Sequence, residues 1–458
     1  RAQALVVPTN VEQVRLRLRE LGEPVTYFGE RAEDRRDRLR KVLAELDREG
    51  KLPSTSGRAD GDGDEDGGGV AEVPSEAELF YTEGSADLLK YRREVARLSL
   101  ARAAERLRKA NDGGERDRLS RASRALLAAA AETREDCSEF GDERPLSDCC
   151  ATADGNLVGT ASWSGTFKVW ETDGCKKVLT VCAHEDRLTG LAFHPSASAA
   201  SIVDANATIF AATACSDGTA KLWSAAGAEL RSLEGHTDRL ARVSFDSFGR
   251  AVATASFDKT WRLWDVETGA HLLEQEGHSK EVYSVSFQCD GSLAVSCGLD
   301  AIGRVWDLRT GKCIRTLRGH VKGILSSDFS PNGYHLATGS QDHTCMVWDL
   351  RMSPRKMHCG QLYTVAAHKS LVSKVRYAQW AAGPVLLTAS YDKSVKLWSA
   401  DSGANAALLT CLEGHEGRVM GADLMPATGH VVSVAYDRTI KIWKMDMDSF
   451  DGDAMEVE

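Results

Sequence analysis

The sequence predicts a mainly β protein, a seven-bladed β-propeller preceded by α-helical N-terminal segments. The first observation behind this prediction is a tryptophan that ends a short β-rich run at intervals of roughly forty to fifty residues. The second is a set of polar residues that precedes these tryptophans at fixed offsets. Repeats of this length are typical of propellers, because each unit forms a sheet that buries its faces only between neighbours. The tryptophans are Trp170, Trp223, Trp264, Trp306, Trp348, Trp398 and Trp443.

The polar residues predict a hydrogen-bonded network in each blade, here called the relay. Six tryptophans have an aspartate six residues earlier and a serine or threonine four residues before that aspartate, and a histidine stands in the preceding loop. Aspartate favours a tight turn between two strands, which places the hydroxyl and the indole on neighbouring strands. An unpaired buried member would cost about 1–3 kcal/mol, so we expect each network to be complete. In the five best-preserved repeats the members are His236, Thr254, Asp258 and Trp264; His278, Ser296, Asp300 and Trp306; His320, Thr338, Asp342 and Trp348; His368, Thr388, Asp392 and Trp398; and His415, Ser433, Asp437 and Trp443.

Two repeats depart from this rule. The first has Ser164 in the aspartate position and lacks a histidine, so we expect its relay to be incomplete. In the second repeat an insertion, Ser196–Ala207, separates His184 from Asp217, and we expect a surface hairpin loop there. The overall pattern resembles the WD40 repeat family over about two-thirds of the chain.

The repeated residue types also occur in hydrolytic triads, but a catalytic constellation occurs once in a chain and these occur once per blade. The sequence shows no P-loop, dinucleotide fingerprint or metal-binding helix motif. We therefore predict a protein that is not an enzyme and binds no cofactor or metal.

Residues 1–50 predict a pair of helices, here called the N-terminal hairpin. The first helix is expected over about Asn10–Leu21, and the second carries Leu39, Val42, Leu43 and Leu46 on one face. The connecting segment EPVTYFGE holds an apolar cluster, and an arginine pair follows it. So small a unit buries little surface, which favours a docking element. The candidate partner-binding residues here are Val25, Tyr27, Phe28, Arg35 and Arg36.

The segment Pro8–Arg40 resembles the short splicing-factor motif of pre-mRNA processing proteins, with its Leu-Gly-Glu-Pro and Phe-Gly-Glu elements. Together with a seven-bladed propeller, it resembles the pre-mRNA-processing factor four family of WD-repeat proteins. The resemblance implies a nuclear, non-catalytic scaffold of the U4/U6 small nuclear ribonucleoprotein and of the U4/U6-U5 tri-snRNP. Implied partners are a pre-mRNA-processing factor three-like protein, a cyclophilin-type isomerase, and U4/U6 snRNA directly or through partners. The chain would then be a monomer within a large complex; the alternative is a generic WD40 adaptor such as a ubiquitin-ligase substrate receptor.

Composition divides the rest of the chain. Residues 51–74 predict a flexible acidic Gly-rich linker, residues 75–134 a basic helical segment, residues 135–445 the propeller and residues 446–458 an acidic disordered tail. The basic segment fits either contact with RNA or an acidic partner, or a solvated helix face. Its basic residues include Lys90, Arg92, Arg93, Arg97, Arg102, Arg106, Arg108 and Lys109.

Charge and cysteine content limit the function classes. Acidic residues outnumber basic ones, 67 against 57, so bulk attraction to nucleic acid is not predicted. Twelve cysteines without zinc-ligand spacing indicate reduced thiols, as in the cytosol or nucleus. No apolar run has the length of a membrane span, so we expect no membrane contact.

Two further expectations concern the propeller. Residues directly before the turn aspartates, or before Ser164 in the first blade, should cluster on one rim as a partner surface; these are Trp163, Phe257, Leu299, Tyr391 and Tyr436. The last repeat supplies three clear strands, so residues near Glu135–Arg144 are expected to provide its fourth strand and close the ring.

Overall fold

The described part of the chain contains two long helices and seven four-stranded antiparallel sheets. A computed structural model describes residues 32–48, 85–111, 133–204, 209–352, 360–380, 383–400 and 406–445, together with Val14, Leu18 and Leu21. The chain divides into two compact units, residues 1–80 and residues 81–458.

The seven sheets are the blades, and their strands follow one another along the chain. Blade 1 consists of β2 (Leu146–Ala151), β3 (Leu157–Ser162), β4 (Thr166–Glu171) and β5 (Lys177–Cys182). Blade 2 consists of β6 (Leu188–Phe193), β7 (Ile209–Cys215), β8 (Ala220–Ser224) and β9 (Glu229–Leu233). Blade 3 consists of β10 (Leu240–Phe245), β11 (Ala251–Ser256), β12 (Trp261–Asp265) and β13 (His271–Gln275). Blade 4 consists of β14 (Val282–Phe287), β15 (Leu293–Gly298), β16 (Ile302–Asp307) and β17 (Lys312–Arg318).

The remaining three blades continue this order. Blade 5 consists of β18 (Ile324–Phe329), β19 (His335–Ser340), β20 (Cys345–Asp349) and β21 (Gln361–Val365). Blade 6 consists of β22 (Val372–Trp380), β23 (Gly383–Ser390), β24 (Ser394–Ser399) and β25 (Ala407–Glu413). Blade 7 consists of β26 (Val419–Met425), β27 (His430–Ala435), β28 (Thr439–Lys444) and β1 (Arg134–Phe140). The first strand of each blade contacts that of the next, and β26 contacts β2, so the ring is closed and the predicted fold is confirmed.

Small apolar residues let neighbouring blades approach closely. The second strands β3, β11, β19 and β27 are buried along their whole length, because other strands and blades cover both of their faces. At Gly339 of β19, a Cβ atom would lie 2.5 Å from Val375 Cγ2 of the next blade. The outermost strands are largely exposed, as the burial of β9 and β13 shows.

An N-terminal strand closes the ring, as the sequence predicts. β1 pairs with β28 in antiparallel register from Arg134 opposite Lys444 to Phe140 opposite Thr439. Lys441 Nζ lies 2.5 Å from Glu135 Oε1, and Gly141 N–H donates to Arg438 O (2.8 Å) just after the strand. Blade 7 therefore obtains its outer strand from the opposite end of the propeller sequence.

The N-terminal hairpin has a small core of its own. Helix α1 spans Ala32–Arg48, and its Leu39 and Leu43 pack with Val14 and Leu18, both in helical conformation. These contacts agree with the apolar face predicted for the second helix. The linker 51–74 and the tail 446–458 lie outside the described residues.

Helix α2, Ala86–Asn111, packs on the propeller instead of standing free. Ser85 caps its first turn by accepting the Leu88 N–H (3.2 Å). Leu88, Tyr91 and Val95 are buried against blades 3 and 4, at the loops that join first to second strands and third to fourth strands. None of the helices in the described ranges is long and apolar enough to cross a membrane.

The predicted insertion in blade 2 lies between β6 and β7, as expected, but it is not a simple hairpin loop. A short helix, α3 (Ala199–Asp204), occupies part of it. The Ala199 N–H donates to Asp154 Oδ2 (3.1 Å), so a carboxylate of blade 1 anchors the start of this helix.

A buried carboxyl group holds α2 in place. The Tyr91 hydroxyl donates to Asp246 Oδ2 (3.2 Å), and Asp246 is fully buried. Burial raises the pKa of Asp246 to about 7, and the hydrogen bond from Tyr91 offsets this only in part. An aspartate in the unfolded chain has a pKa of about 4. Between about pH 4 and pH 7 the Asp246 carboxyl is therefore protonated in the folded protein and ionised in the unfolded chain.

This protonation predicts a pH-dependent stability. Because the pKa of Asp246 is higher in the folded than in the unfolded protein, protonation of Asp246 stabilises the folded state. This contribution is full below about pH 4 and is lost as pH rises to about 7. Asp246→Asn carries no titrating group at this position and can still accept from Tyr91. The melting temperature of the wild type should therefore fall relative to this variant between pH 5 and pH 7. Parallel pH profiles for the two proteins would contradict the assignment.

Candidate partner-binding surface

The relay forms as the sequence predicts, and blade 3 shows its geometry. His236 Nδ1 lies 2.7 Å from Asp258 Oδ2, and its Nε2 lies 2.8 Å from Thr254 Oγ1. The Trp264 indole N–H donates to the same hydroxyl (2.9 Å). Asp258 itself sits in a tight turn whose next residue, Lys259, has φ +71°, and it accepts the Thr260 N–H (2.9 Å). The turn thus sets the position of the aspartate, and the aspartate orients the histidine.

The same contacts recur in blades 4 to 7. The histidine lies within 3.1 Å of both the aspartate and the hydroxyl, and the tryptophan donates to the hydroxyl at 2.8–2.9 Å. Blade 2 has a looser version, in which His184 lies 3.4 Å from Asp217. Thr254, Ser296, Thr338, Thr388 and Ser433 are fully buried. Each hydroxyl is engaged by an indole and an imidazole, so the relay is a structural device and not a nucleophilic site.

Sequence reasoning missed a fifth member of the relay. The residue two positions after the aspartate donates a side-chain hydroxyl to it in blades 2, 3, 5, 6 and 7, for example Thr260 to Asp258 (2.7 Å). Burial opposes ionisation of Asp258, Asp342 and Asp437, but hydrogen bonds from the histidine and this threonine outweigh it and lower the pKa of each carboxyl well below its usual range. The signal was available, because a serine or threonine recurs at this offset.

Blade 1 builds a different network. As predicted, it has no histidine, although the Trp170 indole N–H still donates to Thr160 (3.0 Å). Asp142 instead arrives from the preceding loop and accepts from Ser164 and Thr166, while Lys168 Nζ lies 3.1 Å from it. Burial disfavours the charge of Asp142, yet the hydrogen bonds lower its pKa to about 2. The relay of blade 1 is therefore incomplete, as expected, because it lacks both the histidine and the turn aspartate, and Asp142 from the loop bonds the turn hydroxyls in their place.

The turns place the predicted aromatic residues around one mouth of the central channel. Trp163, Phe257 and Tyr391 line a cavity of about 260 Å³, and Tyr436 meets Trp163 edge to face with ring centroids 5.6 Å apart. Each of them directly precedes the turn residue of its blade. Leu299 is half-buried and is not among the residues that line this cavity. The name rim is used below for Trp163, Phe257, Tyr391 and Tyr436.

Arginines that sequence reasoning missed stack on the rim. The guanidinium carbon of Arg187 lies 5.0 Å from the Trp163 ring centroid, that of Arg239 lies 3.9 Å from Phe257, and that of Arg418 lies 5.4 Å from Tyr391. All three arginines are exposed. Each stands three residues after a relay histidine, as in HTDR at 236–239, and this spacing could have identified them. Stacked arginine and aromatic residues are the types enriched in binding hot spots.

Buried ion pairs occupy the channel beneath the rim. Asp148 lies 2.5 Å from Arg242 and 3.0 Å from Lys374, and Arg376 makes two contacts of 2.8 and 3.1 Å with Asp423. Burial disfavours the charge of Asp148, but Arg242 and Lys374 keep its pKa below the usual value. These pairs join the innermost strands of different blades. Above these pairs, the stacked arginines of the rim are exposed cations.

The residues predicted in the N-terminal hairpin have different positions. Arg35 is buried, with 6% of its surface exposed, and Arg36 is half-buried. Val25, Tyr27 and Phe28 lie outside the described residues. A role of these five residues in partner binding stays a prediction.

Comparison with known proteins identifies the two parts of the chain. The family model "WD domain, G-beta repeat" matches residues 175–224, 227–265, 269–307, 311–349, 359–399 and 406–444. The model "pre-mRNA processing factor 4 (PRP4) like" matches residues 14–42. The propeller and the repeated relay therefore define a WD-repeat protein; most of blade 1, which departs from the relay pattern, precedes the matched segments.

Relatives of known name extend this assignment. "U4/U6 small nuclear ribonucleoprotein PRP4" of Saccharomyces cerevisiae is 38% identical over 97% of this chain and 92% of its own length. "U4/U6 small nuclear ribonucleoprotein PRP4-like protein" of Arabidopsis thaliana is 44% identical over 51% of this chain, and "U4/U6 small nuclear ribonucleoprotein Prp4" of Homo sapiens is 39% identical over 43%. The chain spans about two-fifths of the length of these last two, 41% and 37%. It belongs to the U4/U6 small nuclear ribonucleoprotein PRP4 family.

The relay makes a quantitative prediction. Asp258→Ala should destabilise the propeller by about 2–4 kcal/mol, because it removes a largely buried carboxylate that accepts from His236, Thr260 and a backbone N–H. Asp238→Ala is the matched control, since Asp238 is exposed and accepts from the Arg239 N–H at the surface. Chemical denaturation measures both variants, and equal losses would count against the relay.

Proposed function

We propose that this protein is a non-catalytic scaffold of the U4/U6 snRNP and of the U4/U6-U5 tri-snRNP in pre-mRNA splicing, acting in the nucleus. The observation that carries the proposal is the joining, in one chain, of the PRP4-like segment at residues 14–42 to a WD-repeat propeller. The names of the relatives agree with it. A generic adaptor of a ubiquitin ligase would account for the propeller but not for the PRP4-like segment.

The way in which the reactive residue types are used supports the proposed non-catalytic role. The serine, threonine, histidine and aspartate residues of the relay are engaged with one another at hydrogen-bond distance and are repeated in blade after blade. Their hydroxyls face an indole and an imidazole rather than a substrate cleft. A scaffold needs only that these groups hold the blades rigid, so that loops present a fixed surface.

Two surfaces are proposed to meet partners in the particle. The N-terminal hairpin has a core of Val14, Leu18, Leu39 and Leu43 that belongs to a unit distinct from the propeller, which suits an element that another protein completes. The rim offers aromatic rings and arginines at the mouth of the channel. The partners proposed are a pre-mRNA-processing factor three-like protein, a cyclophilin-type isomerase and U4/U6 snRNA, bound directly or through these proteins.

The proposal predicts the result of a change in the hairpin. Phe28→Ala combined with Arg36→Glu removes an aromatic ring and reverses one charge of the PRP4-like segment. Immunoprecipitation followed by sequencing of bound small RNA should recover U4 and U6 RNA with the wild type and not with this variant. Propeller melting should be unchanged, because the hairpin core is separate from the blade cores.

The control is Lys41→Glu, which reverses an exposed charge on the same helix and should leave RNA recovery intact. Gradient sedimentation gives a second readout, in which the double variant moves as free protein. Normal recovery of U4 and U6 RNA with the double variant would show that the hairpin is dispensable. Absence of these RNAs from the wild-type precipitate would overturn the splicing assignment itself.

A further inference from the structure

Helix α2 is fixed on the propeller by polar contacts as well as by its buried residues. Arg106 Nε lies 3.1 Å from both carboxylate oxygens of Asp290, and its Nη1 donates to Asn332 O (2.5 Å). Arg102 donates to Ser247 O (3.1 Å) and stacks on Phe248, with its guanidinium carbon 4.3 Å from the ring centroid. These contacts fix the rotation of the helix about its axis. They also show that part of the basic run is used inside the protein.

The fixed helix leaves an apolar row on its flank. Leu89, Leu100 and Leu107 are 50%, 62% and 53% exposed, and together with Ala96 and Ala103 they recur at intervals of seven, four, three and four residues. At about 100° per residue these five positions fall within a sector of roughly 60°. Intervals of three and four are those of a coiled-coil seam, in which a second helix covers the apolar row. The name seam is used below for these five residues.

A basic row runs beside the seam. Lys90, Arg93, Arg97 and Arg108 are exposed on the next sector of the helix. The acidic residues of α2 lie farther round: Glu94 pairs with Arg250 and Glu105 with Lys109. A helix that lay on the seam would therefore meet positive charge along one edge. Acidic residues flanking its own apolar row would complement that charge.

The apolar seam and the basic row beside it together favour a helix over RNA as the occupant. Phosphate contacts would satisfy the arginines but would leave three exposed leucines uncovered, whereas a helix with an apolar row and acidic edges would satisfy both. The chain's own residues 115–132 carry four arginines against three acidic residues, so they do not supply the complementary charge. The tail 446–458 is acidic but contains Gly452 and four aspartates, which are poor helix formers.

We propose that the seam of α2 docks an acidic amphipathic helix of a partner protein. The helix would lie along this flank of α2 and cover Leu89, Leu100 and Leu107. This surface is distinct from the rim and from the N-terminal hairpin. Because the propeller already holds α2 in place, the partner finds a preformed half of a coiled coil, which lowers the ordering cost of binding.

A synthetic helix tests the proposal with the full chain. The probe is a fluorescein-labelled peptide of four heptads, with leucine at positions a and d and glutamate at e and g, and binding is followed by fluorescence anisotropy. The triple variant Leu89→Ser, Leu100→Ser, Leu107→Ser should bind it at least tenfold more weakly than the wild type. Arg93→Glu with Arg97→Glu should weaken binding as well, and the same peptide with lysine at e and g should not bind.

The matched control replaces exposed apolar residues elsewhere, on the outer strands of three blades. Val178→Ser, Ile314→Ser, Leu408→Ser removes residues that are 41%, 54% and 50% exposed and should bind the acidic peptide like the wild type. Equal binding by both triple variants, or no binding of the acidic peptide to the wild type, would overturn the proposal. So would displacement of the peptide by an RNA duplex whose own binding the leucine changes do not affect. A chain ending at Met445 that binds the peptide tenfold more tightly would make the acidic tail the occupant, and would overturn it too.

Discussion

The pairing of β1 with β28 is the constraint on which the rest of the structure depends. It supplies the fourth strand of blade 7 from residues that precede blade 1, so the two ends of the propeller sequence meet in one sheet. Without it, the outer edge of β28 would present unpaired backbone N–H and C=O groups. The contact between β26 and β2 completes the ring on the inside, and both the buried channel ion pairs and the rim include residues from blades that are not neighbours in that ring.

The closed ring gives the protein two faces with different uses. On one face, the relay turns set the rim residues, and arginines from the adjacent loops stack on them. On the other face, the loops of blades 3 to 5 hold α2 through Asp246, Asp290 and Asn332. Because the blades are rigid, neither surface has to be ordered when a partner arrives. This arrangement suits a scaffold, whose task is to hold several partners in fixed relative positions.

The sequence predicts much of this architecture because the information repeats. Aspartate, hydroxyl and tryptophan at constant offsets define the blades, and the missing strand of blade 7 points to residues before Leu146. Other features depend on contacts between residues that are far apart in sequence, and no local sequence pattern predicts such contacts. Arg106 belongs to a basic run whose composition fits contact with RNA or an acidic partner, or a solvated helix face, but its carboxylate partner Asp290 lies 184 positions away. In blade 1, Asp142 stands where the other blades have the relay histidine, and in the channel Lys374 pairs with Asp148 of another blade. Neither contact can be predicted from the residue spacing within one repeat.

The most direct test of this account is the thermal stability of two truncated chains, one beginning at Thr133 and one at Ser147. Both lack α2 and the N-terminal hairpin, and they differ in β1, in the loop that carries Asp142 and in Leu146, the first residue of β2. We expect the shorter chain to melt several degrees lower, because blade 7 loses its outer strand and blade 1 loses the carboxylate of its network. Equal melting temperatures would contradict the claim that the N-terminal strand closes the ring.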